Sequence, residues 1–454
     1  MSIIIIGAGL SGLAAATELL EINPNADVKI LEASSEIGGR IKTIKIYDKL
    51  IELGAQWIHG NTKENSAYAI AQAICNTSNS SYRECSFYES NGKRIKEAIS
   101  NKCCELFYRI QNELEAIENS TASPNMSVAE YFDKELPKYY KDFKDDELLE
   151  AKNVFKQLLR MNESYMGALL TDVSINDPYI STGDNTCVND GLAKICYHFQ
   201  DRIYKANRTK DIIKLNHKVE KIVLKNSTVK VVCSNGLELN ADHVLVTLPL
   251  GVLKQSNHLF DPPLPKMKQH SINRIGFGFV GKFSLYYENP VWKDSKHFAF
   301  IPSDDPKDWT DAIQGYFKDS FGQNILTGWI VGPYTLQYEN VTDEELMKVS
   351  TNLLRKYLND DSIPLPQHVF RYNFCSSELF KGCYSYVSME TQAVDYANYS
   401  DPILDDKSVP RILFAGEATI PQSYSTMHGA VDSGKREARR IIDYQSRKIP
   451  IYTI

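Results

Sequence analysis

The N-terminal residues, from Ile3 to Glu32, constrain the fold of this chain more than any other part of it. Residues 3–6 are four consecutive isoleucines, a run typical of a strand buried on both faces of a parallel sheet. The run leads directly into Gly7-Ala8-Gly9-Leu10-Ser11-Gly12, and residues 13–20 then favour an amphipathic helix. A second apolar run, residues 28–31, ends at Glu32. This order predicts a βαβ unit with parallel strands.

The glycines and the acidic residue of this unit predict a dinucleotide site. Gly7 permits a tight turn, Gly9 lets the backbone approach a pyrophosphate, and Gly12 lets helix and strand pack closely. The diphosphate would lie on the amides at the helix start, around Leu10 and Ser11. Glu32, followed by Ala33, lies 20 residues after Gly12, where a carboxylate can accept hydrogen bonds from ribose hydroxyls. A carboxylate there disfavours the 2′-phosphate of NADP, so NAD and FAD remain.

Composition excludes several other classes of protein. The 454 residues allow about two to four domains. The net charge of −6 argues against a nucleic-acid partner. The nine cysteines contain no C-x-x-C pair, so we expect no metal site and no disulfide framework, but reduced thiols in the cytoplasm. No apolar run reaches the length of about 18 residues that spans a bilayer, so we expect no membrane association. We also expect a monomer or a weak homodimer.

The next motif distinguishes between NAD and FAD. Glu36-Ile37-Gly38-Gly39-Arg40 follows Glu32 within a few residues. A Gly-Gly step followed by arginine can lay backbone against a cofactor and add a cation for phosphate or flavin. This extension resembles the flavin amine oxidase family, which implies FAD as the cofactor, with Gly39 and Arg40 in contact with it. The alternative is a surface turn with a solvated arginine.

The segment Glu52–Gly60 continues the resemblance. In the family this segment lines the isoalloxazine, which implies cofactor contacts for Gly54, Ala55, Gln56 and Trp57. His59 belongs to a Trp-Ile-His-Gly motif that is similar to that of the animal-type polyamine and spermine oxidases. The resemblance implies that His59 lies at the substrate tunnel and takes part in catalysis; the alternative is a structural histidine.

A lysine in the middle of the chain is the second catalytic candidate. Lys282 lies within an apolar, strand-like run, residues 275–285, where a lone cation is costly unless it is paired. The resemblance implies that it holds a water against flavin N5. The alternative is a lysine that protects an edge strand from pairing. The resemblance also implies that Val219 holds the adenine through its backbone and that Trp329 packs near the flavin.

The C-terminal segments complete the predicted site. Residues 411–415 read as a strand that leads into Gly416 and Glu417. The resemblance implies that Glu417 hydrogen-bonds the ribityl and diphosphate region and that the backbone around Thr426 and Met427 caps the flavin pyrimidine edge. The Tyr-Ser-Thr-x-His-Gly-Ala motif is similar to the animal enzymes and implies substrate contacts for Tyr424 and Thr426.

Two further residues are candidates for substrate contacts. Tyr384, in Gly382-Cys383-Tyr384-Ser385, is similar to the residue that supplies an aromatic wall in front of the flavin. Glu163 is similar to a tunnel carboxylate of the spermine oxidases. The alternatives are an ordinary core aromatic and a solvated glutamate on a helix face.

The resemblance implies an α/β fold with two domains. A Rossmann-type, discontinuous FAD-binding domain would comprise residues 1–75, 190–255 and 395–454. An α+β substrate-binding domain would comprise residues 76–189 and 256–394. The implied reaction is the oxidation of a polyamine, such as spermine, spermidine or their acetylated forms, at a secondary amine by FAD, O₂ and water. The alternatives are oxidation of a monoamine, an amino acid or a modified lysine, and a flavin-binding protein without turnover. An amino-acid oxidase would need an arginine clamp, which we cannot identify in the sequence.

Overall fold

The computed structural model of the chain describes residues 1–80, 84–118, 125–180, 183–206, 211–225, 227–256, 258–289, 292, 297–303, 305–318 and 324–445. Its α-helices are α1 (Leu10–Ile22), α2 (Ser66–Ile74), α3 (Glu97–Glu118), α4 (Val128–Glu135), α5 (Leu148–Met166), α6 (Ala193–Ala206), α7 (Leu250–Gln255), α8 (Lys266–Arg274), α9 (Thr335–Asn340), α10 (Asp343–Leu358), α11 (Ala393–Ser400) and α12 (Met427–Gln445). Its strands are β1 (Ser2–Ile6), β2 (Asp27–Leu31), β3 (Thr43–Ile46), β4 (Lys49–Glu52), β5 (Ile58–His59), β6 (Thr77–Asn79), β7 (Cys85–Glu89), β8 (Asn185–Val188), β9 (Ile213–Lys214), β10 (Val219–Lys225), β11 (Thr228–Cys233), β12 (Glu238–Ala241), β13 (His243–Val246), β14 (Phe260–Asp261), β15 (Gly276–Phe277), β16 (Val280–Tyr286), β17 (His297–Ile301), β18 (Gly315–Lys318), β19 (Ile325–Val331), β20 (His368–Arg371), β21 (Ser385–Tyr386), β22 (Ile403–Leu404) and β23 (Pro410–Phe414).

A parallel sheet built from three distant parts of the chain forms the first half of the molecule. Its strand order is β22-β23-β13-β1-β2-β9, and all neighbours are parallel except the edge pair β22 and β23. Strand β1 is central, and its four isoleucines are at most 3% exposed. Ile3 and Ile5 pack in one core with α1, α6 and α12, whereas Ile4 and Ile6 pack in another with β10 and β11. The prediction of a strand buried on both faces is confirmed, and so is the α/β class.

The alternating segments from residue 211 to 249 predict a meander of strands that returns to the cofactor-binding domain. The pairing bears this out only in part, because β9 pairs in parallel with β2 in the first sheet. Only β10, β11 and β12 form an antiparallel meander, with β14 added in parallel to β10. A two-residue strand such as β9 has too few residues to show its pairing partner in its own pattern.

Glycines allow the helices to approach the first sheet closely. A Cβ atom at Gly12 would lie 2.1 Å from the carbonyl oxygen of Gly7, so only glycine lets α1 start directly beside the end of β1. A Cβ atom at Gly434, on α12, would lie 2.2 Å from the carbonyl oxygen of Ser11. The two helices therefore cross with backbone against backbone at the start of α1.

A mixed sheet forms the second half, in the order β20-β16-β19-β18-β17-β7. Helices α3, α4 and α5 pack with β7 and β17 in one hydrophobic core that includes Phe87, Phe107 and Phe155. Strand β16 lies between β20 and β19 and is buried along nearly its whole length. Lys282 is on this interior strand, so the alternative of a lysine that protects an edge strand does not apply.

The distribution of strands suggests where the two domains divide. Strand β14 pairs with β10, and Phe260 and Ile272 share a core with Ile222. We propose the division predicted from the sequence with one change: residues 256–275, which the sequence assigns to the substrate-binding domain, belong to the cofactor-binding domain. Among the described residues, no helix combines the length and the apolar character needed to cross a membrane.

Candidate active site

A cavity of about 1850 Å³ lies beyond the carboxyl ends of the parallel strands. Gly7, Glu32 and Thr247, which follow β1, β2 and β13, all line it, as expected for a ligand site of an open α/β sheet. The cavity exceeds the roughly 300–1,000 Å³ of a single small-molecule pocket, so it has room for a large cofactor and a substrate. The predicted site residues that line it are Gly7, Gly9, Leu10, Ser11, Glu32, Ala33, Gly39, Arg40, Gly54, Ala55, Gln56, Trp57, His59, Val219, Lys282, Trp329, Tyr384, Gly416, Glu417, Tyr424, Thr426 and Met427.

Two predicted residues do not line the cavity. Gly12 lies behind it, at the contact between α1 and β1. Glu163 is on α5, where burial raises the pKa of its carboxyl to about 7 and the nearby Arg160 partly offsets this effect. The cavity-facing residues of α5 include Leu158, Met161 and Tyr165, which share one helix face, and position 163 projects from another. Glu163 is thus absent from the cavity lining, and its role as a tunnel carboxylate stays a prediction.

The glycine loop and Glu32 form the cofactor end of the cavity. One oxygen of the Glu32 carboxylate accepts from the Ala8 N–H (2.7 Å), and the other accepts from the N–H and hydroxyl of Ser34 (2.8 Å each). These three bonds fix the carboxylate and leave about one acceptor position for a ligand, because a carboxylate accepts about four hydrogen bonds. A Cβ atom at Gly9 would meet no atom of the described structure within 4 Å. The space beside Gly9 and the amides of α1 therefore suits a diphosphate.

An ion pair between the half-buried Arg40 and the buried Glu417 lies in the cavity wall. Arg40 Nη1 donates to Glu417 Oε1 and to the Cys383 carbonyl, both at 2.8 Å. The other oxygen of Glu417 accepts from the Ser385 hydroxyl (2.5 Å) and from the Ser425 N–H (2.9 Å). The carboxylate thus joins segments that lie far apart in the sequence, and the protein itself supplies these partners of Glu417.

Lys282 is paired within the cavity wall. Its ammonium donates to the Gly54 carbonyl at 3.0 Å and lies 5.3 Å from the ring centre of Trp329, its partner across β16 and β19. Trp329 in turn stacks on Trp57, with ring centres 6.1 Å apart and planes 20° apart. Lys282 is only 6% exposed. The Gly54 carbonyl and the face of the Trp329 ring offset the free-energy cost of burying its charge.

Strand pairing between β5 and β8 orients His59. Asn185 is its partner in the register, and His59 Nδ1 lies 2.9 Å from Asn185 Oδ1. Burial lowers the pKa of His59, and the Asn185 hydrogen bond only partly offsets this, so the ring is neutral at pH 7. With Nδ1 donating to the amide oxygen, Nε2 remains an acceptor. Sequence reasoning missed Asn185, because 126 residues separate it from His59.

Replacement of Asn185 by alanine should lower kcat/KM for an amine substrate about 5- to 10-fold, because His59 would lose the group that fixes its orientation and tautomer. This factor corresponds to the free energy of roughly one hydrogen bond. The measurement is steady-state kinetics at several pH values, with Asn189→Ala as the matched control, since Asn189 is exposed and does not line the cavity. Equal effects of the two substitutions would contradict the positioning role of Asn185.

Tyr384 forms an aromatic wall that depends on a neighbouring glycine. Its hydroxyl donates to the Ser164 carbonyl at 2.5 Å, and burial raises its pKa well above the usual value, so the phenol stays neutral. Gly167, which ends α5 at φ +82°, lies against the ring, and a Cβ atom there would be 2.4 Å from Tyr384 Cε2. Only glycine satisfies both the backbone conformation and the contact.

The part of the cavity lined by residues 79–185 is acidic. Its charged side chains are Glu84, Glu115, Asp177 and Asp184, and among the described residues of this segment no lysine or arginine lines the cavity. Sequence reasoning did not find these four carboxylates, because nothing in their local pattern distinguishes them from solvated surface residues. The acidic lining suits a cationic ligand.

The parallel sheet, the glycine loop and the Glu32 carboxylate define a dinucleotide-binding protein. The model of the flavin containing amine oxidoreductases matches residues 10–442, and the chain belongs to that family. It is similar to the human peroxisomal N(1)-acetyl-spermine/spermidine oxidase, at 27% identity over 97% of this chain and 94% of that protein. It is also similar to Protein anon-37Cs of Drosophila melanogaster, at 30% identity over 98% and 92%.

A solved structure supports the fold. A redesigned putrescine oxidase double mutant superposes with a TM-score of 0.71 at 20% identity, over 97% of this chain and 98% of that chain. The prediction of an FAD-binding α/β fold is confirmed, and FAD is the cofactor. The residues present fit it: the open space at Gly9, the fixed Glu32 carboxylate and the amides of α1 accommodate its adenosine and diphosphate.

Proposed function

We propose that the protein oxidises a polyamine at a secondary amine, with O₂ and water as co-substrates, to a shorter amine, an aminoaldehyde and H₂O₂. The observation that carries the proposal is the all-acidic charged lining contributed by residues 79–185. A polyamine has several ammonium groups at neutral pH, since alkylamines have pKa values of about 10. The names of the human relative and of the solved neighbour, which refer to spermine, spermidine and putrescine, support the same substrate class.

FAD, when bound, supplies the acceptor for the hydride of the carbon next to the nitrogen. The chain's own residues bind and orient the substrate. Trp57, Trp329 and Tyr384 offer apolar and aromatic surface, which lowers the pKa of an adjacent amine and favours the neutral form that reacts. Lys282 and His59 are the proposed catalytic residues: Lys282 supplies a fixed positive charge and His59 an acceptor nitrogen.

The alternatives fit the cavity less well. An amino acid would bring a carboxylate into a wall whose charged groups from residues 79–185 are carboxylates, and like charges repel. A monoamine with one neutral reacting nitrogen would bring no ammonium group to this acidic wall. A flavin-binding protein without turnover would have no need for a buried, oriented lysine in the cavity wall.

Anaerobic reduction by a polyamine is the direct test. Spermine, N1-acetylspermine or spermidine should bleach the visible band of the oxidised flavin. A monoamine or an amino acid should not, because neither combines a secondary amine that reacts with a further ammonium group that the acidic wall can bind. The measurement is stopped-flow absorbance of the FAD-loaded protein with each compound in turn. A protein that stays yellow with every polyamine, or that a monoamine or amino acid bleaches faster, would overturn the proposal.

We also propose the cytoplasm as the compartment and a monomer or weak dimer as the assembly. All nine cysteines are free thiols in the structure, which suits a reducing compartment. The human relative, by contrast, is named as peroxisomal.

A further inference from the structure

Asp177 is a carboxylate of the cavity wall that the proposed catalytic groups do not use. It lies between α5 and β8, on the segment that leads to Asn185. Its Oδ2 accepts from the Tyr424 hydroxyl at 2.5 Å, and its Oδ1 accepts from the Tyr179 N–H at 2.9 Å. The rings of Tyr179 and Tyr424 contact each other edge to face, at 5.9 Å and 75°. The carboxylate therefore has a fixed orientation at the cavity surface.

The groups that act electrostatically on Asp177 include no cation within the described part of the chain. Burial raises the pKa of its carboxyl to about 6, nearby Glu115 raises it further, and the bonds from Tyr424 and Tyr179 partly lower it. The titratable groups that face Asp177 from the neighbouring elements are Glu115, on α3, the phenol of Tyr396, on α11, and the phenols of Tyr179 and Tyr424. Among the described residues, none of these groups carries a positive charge. A buried carboxylate without a cationic partner is costly, unless a ligand supplies the cation.

We propose that Asp177, held by Tyr424, binds the ammonium group of the substrate that is not oxidised. This inference rests on the proposed function and names the residue that recognises the second charge of the polyamine. The reacting nitrogen must be neutral, and a carboxylate beside it would stabilise the charged form instead. Asp177 thus suits the other nitrogen, which stays protonated throughout the reaction. A charge-assisted hydrogen bond to this ammonium would complete the coordination of a carboxylate on which no cation acts among the described residues.

The pairing also explains how the site can select polyamines over monoamines. Tyr424 lies two residues before Thr426, at the start of the segment that the family resemblance places at the flavin. A diamine bound to Asp177 therefore lies next to residues 424–427, which line the cofactor end of the cavity. A monoamine whose single nitrogen lies at the reacting position brings no ammonium group to Asp177.

Calorimetric binding of two matched amines to the oxidised, FAD-loaded protein tests the proposal. The probes are 1,8-diaminooctane, which has two ammonium groups and no secondary amine, and n-octylamine, which has one. Asp177→Asn should raise the Kd of 1,8-diaminooctane about 10-fold or more, which corresponds to the loss of a hydrogen bond to a charged group. The Kd of n-octylamine should stay within about twofold of its wild-type value. Asp172→Asn is the matched control, because Asp172 is exposed and outside this cavity.

The pH dependence separates a charge contact from a structural role. Asp177 is ionised above its pKa of about 6, and the nitrogen of 1,8-diaminooctane outside the reacting position stays protonated from pH 5 to 8. Binding of 1,8-diaminooctane to the wild type should therefore weaken roughly 10-fold from pH 7 to pH 5, and Asp177→Asn should abolish this dependence. Tyr424→Phe should shift the dependence to higher pH, since the phenol favours the ionised carboxylate.

The outcomes distinguish this proposal from the proposed function. If polyamines reduce the flavin of the wild type but Asp177→Asn binds both probes like the wild type, the ammonium site is refuted and the function stands. Equal weakening of both probes by Asp177→Asn would also refute the site, because it would indicate general damage to the cavity. If no polyamine reduces the flavin yet the diamine-specific loss is seen, the cation site stands and the function fails. Failure of the wild type to bind 1,8-diaminooctane would overturn the site.

Discussion

Replacement of Lys282 by methionine is expected to lower kcat for a polyamine by about 100-fold or more, while FAD stays bound. The Lys282 ammonium is a fixed charge in a buried wall, oriented by the Gly54 carbonyl and the Trp329 ring. A charge in such surroundings acts on developing charge far more strongly than it would in water. Methionine keeps the length and the apolar stem of the side chain, so the main loss is the positive charge.

The experiment needs three readouts to separate catalysis from folding. FAD content, the unfolding temperature and kcat at saturating polyamine should be measured for Lys282→Met and for Lys348→Met. Lys348 is exposed on α10 and pairs with Glu344 at i,i+4, so its loss should cost less than about 1 kcal/mol and leave kcat unchanged. A kcat of Lys282→Met within a factor of three of the wild type, with full FAD content, would refute the catalytic role of Lys282.

Local motifs made the cofactor end of the site predictable. The close contact of Gly12 with the Gly7 carbonyl oxygen and the open space beside Gly9 depend on residues a few positions apart, and both appear in the structure where the motif implies them. The same holds for Glu32, whose carboxylate accepts from Ala8 at the end of the neighbouring strand. Such contacts follow from the geometry of a βαβ unit and need no knowledge of the rest of the fold.

The substrate end could not be predicted in the same way. Asn185 reaches His59 only because β8 pairs with β5, and Asp177 reaches Tyr424 across 247 residues. These contacts depend on which distant strands and loops meet, and local pattern does not encode that. Glu163 shows the same limit: its residue type suited a tunnel carboxylate, but the face of α5 that meets the cavity is set by the packing of α5 against the mixed sheet.

Alanine substitutions at Gly12, in the first turn of α1, and at Gly9, directly before α1, should have different effects: the first should lower the stability of the fold and the second the affinity for FAD. At Gly12 a Cβ atom would lie 2.1 Å from the Gly7 carbonyl oxygen, and backbone cannot yield as a flexible side chain can. Helix α1 would have to move away from β1, so Gly12→Ala should lower the free energy of unfolding of the FAD-free protein by about 3 kcal/mol. It should also lower the FAD content on purification.

Gly9→Ala should instead leave the fold intact and weaken the binding of FAD. Gly9 has an ordinary φ of −70°, and its Cβ atom would meet no atom of the described structure within 4 Å. The FAD-free protein should therefore unfold within about 0.5 kcal/mol of the wild type. The new methyl group would occupy the space assigned to the diphosphate and remove at least one hydrogen bond to a charged group. That loss should raise the Kd of FAD more than about 10-fold.

Fluorescence titration of the FAD-free protein and its thermal unfolding measure the two effects independently. A Gly9→Ala protein that binds FAD as tightly as the wild type would show that the diphosphate does not lie against Gly9. A Gly12→Ala protein with wild-type stability would show that α1 can shift at little cost and that the contact of Gly12 with Gly7 does not limit the fold. The opposite pattern of the two variants, one losing stability and the other affinity, is expected because one glycine faces the protein and the other faces the ligand.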